Sequence, residues 1–162
     1  MAKAADRKDP MSLESVRTFF AENAPDIAVI VTDASSATVA LAAEAHGVEP
    51  DQIAKTICLR IGDAVVLVVT AGTKRLDNRK FKDRFGVKPR MLGPEEVVEV
   101  TSHPVGGVCP FGLPSPLKVY CDVSLKAFDQ VVPAAGATNS AVHIAPERMA
   151  ELTNAEWADL CQ

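Results

Sequence analysis

The run of residues 101–114 is the part of the sequence best suited to bring a ligand close to bare backbone. It consists of Thr-Ser-His-Pro-Val-Gly-Gly-Val-Cys-Pro-Phe-Gly-Leu-Pro. The prolines and glycines exclude a helix or a central strand, and Phe111 and Leu113 are too apolar for a solvated linker. We therefore predict a rigid, partly buried loop in which Gly106 and Gly107 allow close approach to peptide N–H groups. An Ω-loop that only packs is the alternative.

Lys55 is a second residue whose type and place could serve chemistry. It is the one cation between Asp51 and Leu59, where the first strand of a predicted hairpin begins. A lysine that lays its stem along apolar surface at a strand end produces the same pattern without any function. The residues around Lys55 therefore leave both interpretations open.

The cysteines and histidines do not form a recognisable metal-binding pattern. The four cysteines include no C-x-x-C pair and the three histidines no H-x-x-x-H spacing, so no zinc site is predicted. In a reducing compartment the cysteines are expected to be small buried hydrophobic residues. One alternative gives Cys109, beside Pro110, the role of a nucleophile whose thiolate is activated by His103.

The charge is distributed unevenly. The net charge is −4, but residues 74–90 contain eight basic and two acidic residues, so this segment is +6 and the rest of the chain is −10. A basic patch on an acidic protein is a candidate binding surface for a polyanion. A solvated helix face, balanced by acids elsewhere in the fold, is the alternative.

Length and composition indicate one globular domain. The chain has 162 residues, of which 48% are apolar and 23% charged, enough to bury a core. No apolar run approaches about 20 residues, and the N-terminus has no apolar segment behind its charges, so a cytoplasmic protein is expected. Residues 1–11 are expected to be disordered and residues 12–162 to form the domain.

The predicted elements follow the order α-β-α-β-β-α-α-loop-β-β-β-α. This order lacks regular βαβ alternation, so the fold class is mixed α/β, α+β-like, with a mixed central β-sheet flanked by helices. The elements expected are a helix capped by Ser12, a buried strand Ile27–Val31, a helix capped by Asp33, Ser35 and Ser36, a hairpin turning at Gly62–Asp63, a basic helix Arg75–Phe85, a short helix from Pro94, strands over 117–123, 129–133 and 140–144, a helix from Pro146 and an apolar turn over 157–160.

Together, these segments resemble the YbaK/prolyl-tRNA synthetase editing-domain family, the bacterial aminoacyl-tRNA deacylases. The resemblance covers roughly residues 12 to 155, and its most specific parts are Lys55 and the G-x-x-x-P loop from Gly106 to Pro110. The other matching pieces are the serine-rich helix start at 33–38, Ala-Ala-Glu-Ala-His-Gly-Val-Glu-Pro at 42–50, the strand 65–70, Met-Leu-Gly-Pro-Glu-Glu-Val at 91–97, Asp-Val-Ser-Leu at 122–125 and Ala-Gly-Ala-Thr-Asn-Ser at 135–140.

The resemblance implies hydrolysis of the ester between a wrongly attached small amino acid and the 3′-terminal ribose of a tRNA, such as Cys- or Ala-tRNA(Pro). Gly106 and Gly107 would offer backbone N–H groups to the developing oxyanion, and Pro110 would stiffen the loop. Lys55 would hold the terminal phosphate or the ester region by its charge. The attacking group would be a water positioned by the neighbouring ribose hydroxyl, without cofactor or metal.

The resemblance also implies a steric pocket and a contact with the tRNA acceptor end. The pocket residues expected are Asp33, Ser35, Ser36, Val108, Cys109, Pro110, Asn139, Ser140 and His143. Arg75, Arg79 and Lys82, placed on one face of the basic helix, are the expected tRNA contacts. An aminoacyl-tRNA synthetase is a further possible partner. A nucleotide- or tRNA-end-binding module without turnover, and a metal-dependent hydrolase, are the competing hypotheses.

Overall fold

The central feature of the fold is a six-stranded mixed sheet, seen here in a computed structural model that describes residues 4–162, with side chains from residue 12 onward. A two-stranded sheet and five α-helices lie beside it, which confirms the predicted fold class. The helices are α1 (Ala4–Asn23), α2 (Val39–His46), α3 (Asn78–Phe85), α4 (Pro94–Thr101) and α5 (Pro146–Thr153). The strands are β1 (Ile30–Val31), β2 (Ile53–Ile61), β3 (Ala64–Ala71), β4 (Arg90–Met91), β5 (Lys118–Asp122), β6 (Val132–Pro133), β7 (Ser140–Ala141) and β8 (Glu156–Ala158).

The hairpin of β2 and β3 forms the middle of the large sheet. Its strands pair antiparallel from Ala54↔Ala71 to Ile61↔Ala64, and Gly62 turns the chain with a φ of 60°, which confirms the predicted hairpin. On the side of β3 away from β2, β5 pairs in parallel with β3, and β8 pairs in parallel with β5. On the free edge of β2, β4 pairs antiparallel near one end and β6 parallel near the other.

Side-chain alternation along the hairpin divides the core into two parts. Ala54 and Cys58 of β2 pack in the main core with residues of α1 and the loop 102–114. Leu59, on the opposite face of β2, packs in a second cluster with Phe81 of α3. Because successive side chains of a strand point to opposite faces, the position of a residue along β2 decides which of the two core clusters it joins.

Short strands are the main departure from the predicted elements. The expected buried strand Ile27–Val31 is reduced to β1, whose Ile30 and Val31 are exposed and pair with β7 in the separate small sheet. The expected apolar turn at 157–160 overlaps β8, which pairs with β5. Such two- and three-residue strands depend on a partner distant in sequence, so local periodicity does not define them.

Three helices begin elsewhere than predicted. The α1 backbone is helical from Ala4, eight residues before Ser12, whose hydroxyl binds a histidine instead of capping the helix. The N-cap of α2 is Thr38, which accepts from the Leu41 N–H. The α3 helix starts at Asn78, after the N-cap Asp77. Residues 1–3 lie outside the described part, and the disorder expected for residues 1–11 stays a prediction.

Within the described residues, none of the helices is both long enough and apolar enough to cross a membrane.

Candidate functional site

A cavity of about 330 Å³ lies against β2, where the consecutive residues from Ile53 to Cys58, on both faces of the strand, contribute to its lining. Strand β2 forms its floor, the starts of α2 and α4 form two walls, and the loop after α4 closes it together with β6 and β7. Most of the lining is small and apolar. The lining residues are Ser36, Ala37, Thr38, Val39, Ala42, Ile53, Ala54, Lys55, Thr56, Ile57, Cys58, Met91, Leu92, Pro94, Val97, Val105, Gly106, Val108, Val132, Ala134, Ser140 and Ala141.

Five of the residues predicted from the sequence meet at this cavity, and they come from four separate segments of the chain. The five are Ser36, Lys55, Gly106, Val108 and Ser140. The cavity lining does not include the other predicted residues, which are Asp33, Ser35, Arg75, Arg79, Lys82, Gly107, Cys109, Pro110, Asn139 and His143.

The two adjacent glycines of the loop have different surroundings. Gly106 adopts a φ of 94°, which favours glycine, and a Cβ there would stand 2.9 Å from the Ala37 Cβ. Gly107 is buried, a Cβ there would meet the Ala137 backbone at 2.8 Å, and its N–H donates to the Pro104 carbonyl at 2.8 Å. Gly107 thus lets the loop pack, while the Gly106 N–H has no acceptor among residues 12–162. Of the two, Gly106 has the backbone donor still available at the cavity wall.

His103 anchors this loop to helix α1. Its Nε2 lies 2.8 Å from the Phe111 carbonyl oxygen, which can only accept, so Nε2 is the donor. Its Nδ1, 2.6 Å from the Ser12 hydroxyl, is therefore the acceptor of that bond. Phe111 adds an edge-to-face contact with Phe20, their ring centroids 4.7 Å apart. A neutral, fully buried imidazole thus holds the two ends of the loop against α1.

Cys109 belongs to the same buried cluster. Its side chain is completely buried, with Sγ 3.5 Å from the His103 Nε2. Burial raises the pKa of this thiol to about 12, and burial lowers the pKa of His103 against the opposing effect of its bond to the Phe111 carbonyl. Both partners therefore favour their neutral forms, whereas an activated cysteine needs a thiolate beside a cationic group.

The side chain of Lys55 leaves β2 on the face opposite to that of Ala54. Its Nζ donates to the Lys74 carbonyl at 2.7 Å, in the turn that follows β3. This turn is fixed by Asp51, whose carboxylate accepts from both the N–H and the hydroxyl of Thr73. Burial lowers the pKa of Lys55, and the nearby Asp51 carboxylate acts in the opposite direction. The lysine lines the cavity, with its ammonium group held at the neighbouring turn.

The remaining pocket residues from the sequence lie around the small sheet. Asp33 and Ser35 are exposed, and Ser35 Oγ accepts from the Ala37 N–H. Asn139 donates through Nδ2 to the Thr32 carbonyl at 3.0 Å. His143 lies against His46, with 3.5 Å between its Nε2 and the His46 Nδ1. The bond between Asn139 and Thr32 joins the segment before α2 to the start of β7.

Thr56 is a cavity residue that the sequence did not single out. It follows Lys55 on β2, and alternation turns it to the main-core face with Ala54 and Cys58. Its Oγ1 is buried and has no hydrogen-bond partner among the described residues. A threonine at an inward position between two small apolar residues is the signal that could have identified it.

The basic segment forms an exposed surface outside the cavity. Arg79 and Lys82 are exposed on α3, one helical turn apart, and neither forms an ion pair within residues 12–162. Their neighbours on the helix are paired, Lys80 with Asp159 and Arg84 with Glu156. Arg75 precedes the helix, so the prediction that it shares a helical face with the other two is wrong. The helix begins after Arg75 because the side chain of Asp77, two residues further along the chain, caps α3.

No group of three or more histidine, cysteine, aspartate or glutamate side chains with metal-binding geometry occurs in the described part of the chain.

Comparison with known proteins identifies the family. The family profile described as an aminoacyl-tRNA editing domain matches residues 33–152, a range that includes the cavity-lining residues. The chain therefore belongs to the aminoacyl-tRNA editing-domain family, and the resemblance inferred from the sequence is confirmed.

Two curated proteins and one crystal structure illustrate the similarity. The uncharacterized protein YwhH of Bacillus subtilis is 47% identical over 154 residues, covering 94% of this chain and 98% of its own. EbsC of Enterococcus faecalis, provisionally named a Cys-tRNA(Pro)/Cys-tRNA(Cys) deacylase, is 27% identical over 121 residues, or 73% of each chain. A crystal structure described provisionally as a trans-editing enzyme for prolyl-tRNA synthetase superposes with a TM-score of 0.87 at 32% identity, over 93% of this chain and 97% of that one.

Proposed function

We propose that this protein is a trans-editing deacylase that hydrolyses the ester of a small, wrongly attached amino acid on tRNA, such as Cys- or Ala-tRNA(Pro). Membership of the editing-domain family supports an activity in aminoacyl-tRNA editing. The observation that contributes most beyond the family is the cavity on β2, whose lining includes Gly106, a residue with a backbone N–H that has no acceptor among residues 12–162.

The size of the cavity suits a small side chain. A volume of about 330 Å³ is at the low end of the range for small-molecule sites, roughly 300–1,000 Å³. Val39, Val97 and Val108 narrow it with branched side chains. Because an apolar pocket excludes a larger side chain by overlap, we propose that selection against bulky amino acids is steric.

The Gly106 N–H is our candidate for stabilising the oxyanion that develops at the ester carbonyl. Donors held in place before the reaction are worth more than mobile ones, because they need no reorganisation when charge develops. The packing of Gly107 against Ala137 and the anchoring of His103 restrict the loop on both sides of this donor. The Val108 N–H, which also lacks an acceptor within residues 12–162, is a second candidate donor.

Lys55 is our candidate for binding the terminal phosphate or the ester region. A lysine side chain is long and flexible, so its ammonium group can exchange the Lys74 carbonyl for an anionic ligand at the cavity mouth. A water is the proposed nucleophile, positioned by the neighbouring ribose hydroxyl of the substrate, because the buried, neutral Cys109–His103 pair does not offer a thiolate.

A deacylation panel tests this function. The substrates are tRNA(Pro) and a few other tRNAs charged with alanine, cysteine, serine, threonine or proline. We expect hydrolysis of at least one small amino acid and little of proline. The same tRNA ending in 2′-deoxyadenosine should be hydrolysed at least about tenfold more slowly if the ribose hydroxyl positions the water. Binding of the acceptor end without hydrolysis of any ester would instead identify a tRNA-binding module.

A further inference from the structure

The cavity contains one hydroxyl group that the protein does not satisfy. Among the hydroxyl-bearing residues of the lining, Ser36 donates to the Thr138 carbonyl at 3.2 Å, and Thr38 accepts from the Leu41 N–H at 3.2 Å. Ser140 both donates to and accepts from the Ala137 backbone. Only the Thr56 Oγ1, among the described residues, is buried there without a partner.

The position of Thr56 leaves it little chance of finding a partner within the protein. Its neighbours on the same face of β2 are Ala54 and Cys58, and the cavity lining also includes Leu92 and Val97, which belong to the same core cluster. A buried polar group without a hydrogen bond lowers stability by the cost of its desolvation. A ligand that expels water from this cavity therefore either bonds to the Thr56 hydroxyl or leaves it unsatisfied.

We propose that Thr56 is a specificity-determining residue that selects an amino acid whose side chain bears a hydroxyl, serine or threonine, over alanine. The inference rests on the proposed function and specifies its substrate class. A substrate hydroxyl can both donate to and accept from the Thr56 Oγ1, whereas a methyl group can do neither. A thiol bonds weakly, so cysteine falls between the two.

The discrimination has a simple physical origin. A pocket built to bond a substrate hydroxyl rejects the analogue without it, because the pocket's own polar group is then left unpaired. An entirely apolar pocket of this size would separate serine from alanine poorly, since the two differ by one oxygen atom. The single unsatisfied hydroxyl therefore decides between substrates that the steric walls of the cavity admit equally.

The experiment compares seryl- and alanyl-tRNA(Pro) with the wild type, Thr56→Val and Thr56→Ser. Valine keeps the shape of threonine and removes the hydroxyl, while serine keeps the hydroxyl. We expect the wild type to hydrolyse the seryl ester about tenfold faster than the alanyl ester. Thr56→Val should lower the ratio of the seryl rate to the alanyl rate by about tenfold, and Thr56→Ser should retain the preference.

The outcomes separate the inference from the function on which it rests. Equal wild-type rates on the two esters, or an unchanged ratio in Thr56→Val, would overturn the role of Thr56 while leaving the deacylase standing. Hydrolysis of neither ester, nor of any other in the panel, would overturn both. Because the wild-type ratio needs no variant, the inference can be tested even if Thr56→Val does not fold.

Discussion

Among single residues, Cys109 draws attention first because a thiol lies 3.5 Å from an imidazole in a loop beside the cavity. Its burial and raised pKa, however, fit a packing role. The same holds for Gly107, whose missing side chain makes room for the Ala137 backbone. The glycine with an unused backbone donor at the cavity is Gly106. Adjacent residues of one motif thus have different physical roles.

Replacement of Cys109 by alanine tests the packing role. With its pKa at about 12, the thiol stays protonated near neutral pH and contributes no nucleophile. We expect Cys109→Ala to keep the rate of ester hydrolysis within about twofold and to lower the free energy of unfolding by about 1 kcal/mol, since it removes one buried sulfur atom. Rates on aminoacyl-tRNA and urea denaturation give the two values. A loss of rate as large as that of Lys55→Ala would restore the nucleophile hypothesis.

At the scale of elements, two contacts made by histidine side chains join segments distant in the chain. His103 connects the loop to α1, and His46 at the end of α2 lies against His143 just after β7. Burial lowers the pKa of both His103 and His46, and in His46 the charge of His143 adds to the effect. Burial therefore favours the neutral form of the His103 and His46 imidazoles.

A pH dependence of stability follows from these two histidines. A histidine whose pKa is lower in the folded protein binds its proton more readily in the unfolded chain. Its stabilising contribution is complete above the unfolded pKa, about 6.5, and is lost as the pH falls through that value towards the folded pKa. We expect the free energy of unfolding, measured with urea, to decrease from about pH 7.5 to about pH 5.5.

The matched variant is His46→Gln, which removes one of the two titrating groups. Its free energy of unfolding should therefore decrease less than that of the wild type over the same pH range. Asp26 and Asp51, whose pKa values are lowered by bonds to Arg148 and Thr73, lose their contribution only below about pH 4. They do not interfere in this window. Stability that stays constant or rises on acidification to pH 5.5 would contradict the assignment.

At the scale of the whole molecule, α3 packs through Phe81 in the cluster that contains Leu59 of β2, whereas the cavity takes Ala54 and Cys58 of its lining from the main-core face of the same strand. Lys55 leaves β2 on the α3 side yet lines the cavity. A tRNA end that reaches Lys55 would pass the turn after β3, close to the start of α3. We therefore propose that the charges of Arg79 and Lys82, which form no ion pair within residues 12–162, attract the acceptor stem from outside the pocket.

The double variant Arg79→Ala/Lys82→Ala tests this surface. Contacts to phosphates raise affinity without acting on the reacting bond, so we expect the KM for charged tRNA to rise about fivefold and kcat to change less than about twofold. The slope of log affinity against log salt should fall in magnitude by about one to two. Lys126→Ala, an exposed lysine that lies over Trp157, is the control and should change neither. An unchanged KM and salt slope in the double variant would remove α3 from the interface.

The sequence predicted those parts of the molecule that local patterns determine. The hairpin around Gly62, the α4 start at Pro94 and the α5 start at Pro146 follow from turn and capping chemistry, and the family follows from motifs in order. Strands β1 and β8 were not predicted, because two or three residues form a strand only by pairing with a segment far along the chain. Within the site, the sequence alone does not show that the Thr56 hydroxyl lacks a partner, because this depends on residues from every segment that lines the cavity.

The most direct test of the central claim is single-turnover hydrolysis of a small amino acid ester on tRNA by wild type, Lys55→Ala and Lys118→Ala. Lys118 is an exposed lysine of the same sheet that pairs with Glu156, so its loss controls for removing a positive charge. We predict about a 100-fold lower rate for Lys55→Ala and a wild-type rate for Lys118→Ala. Wild-type hydrolysis by Lys55→Ala, or none by the wild type on any charged tRNA tried, would contradict the account.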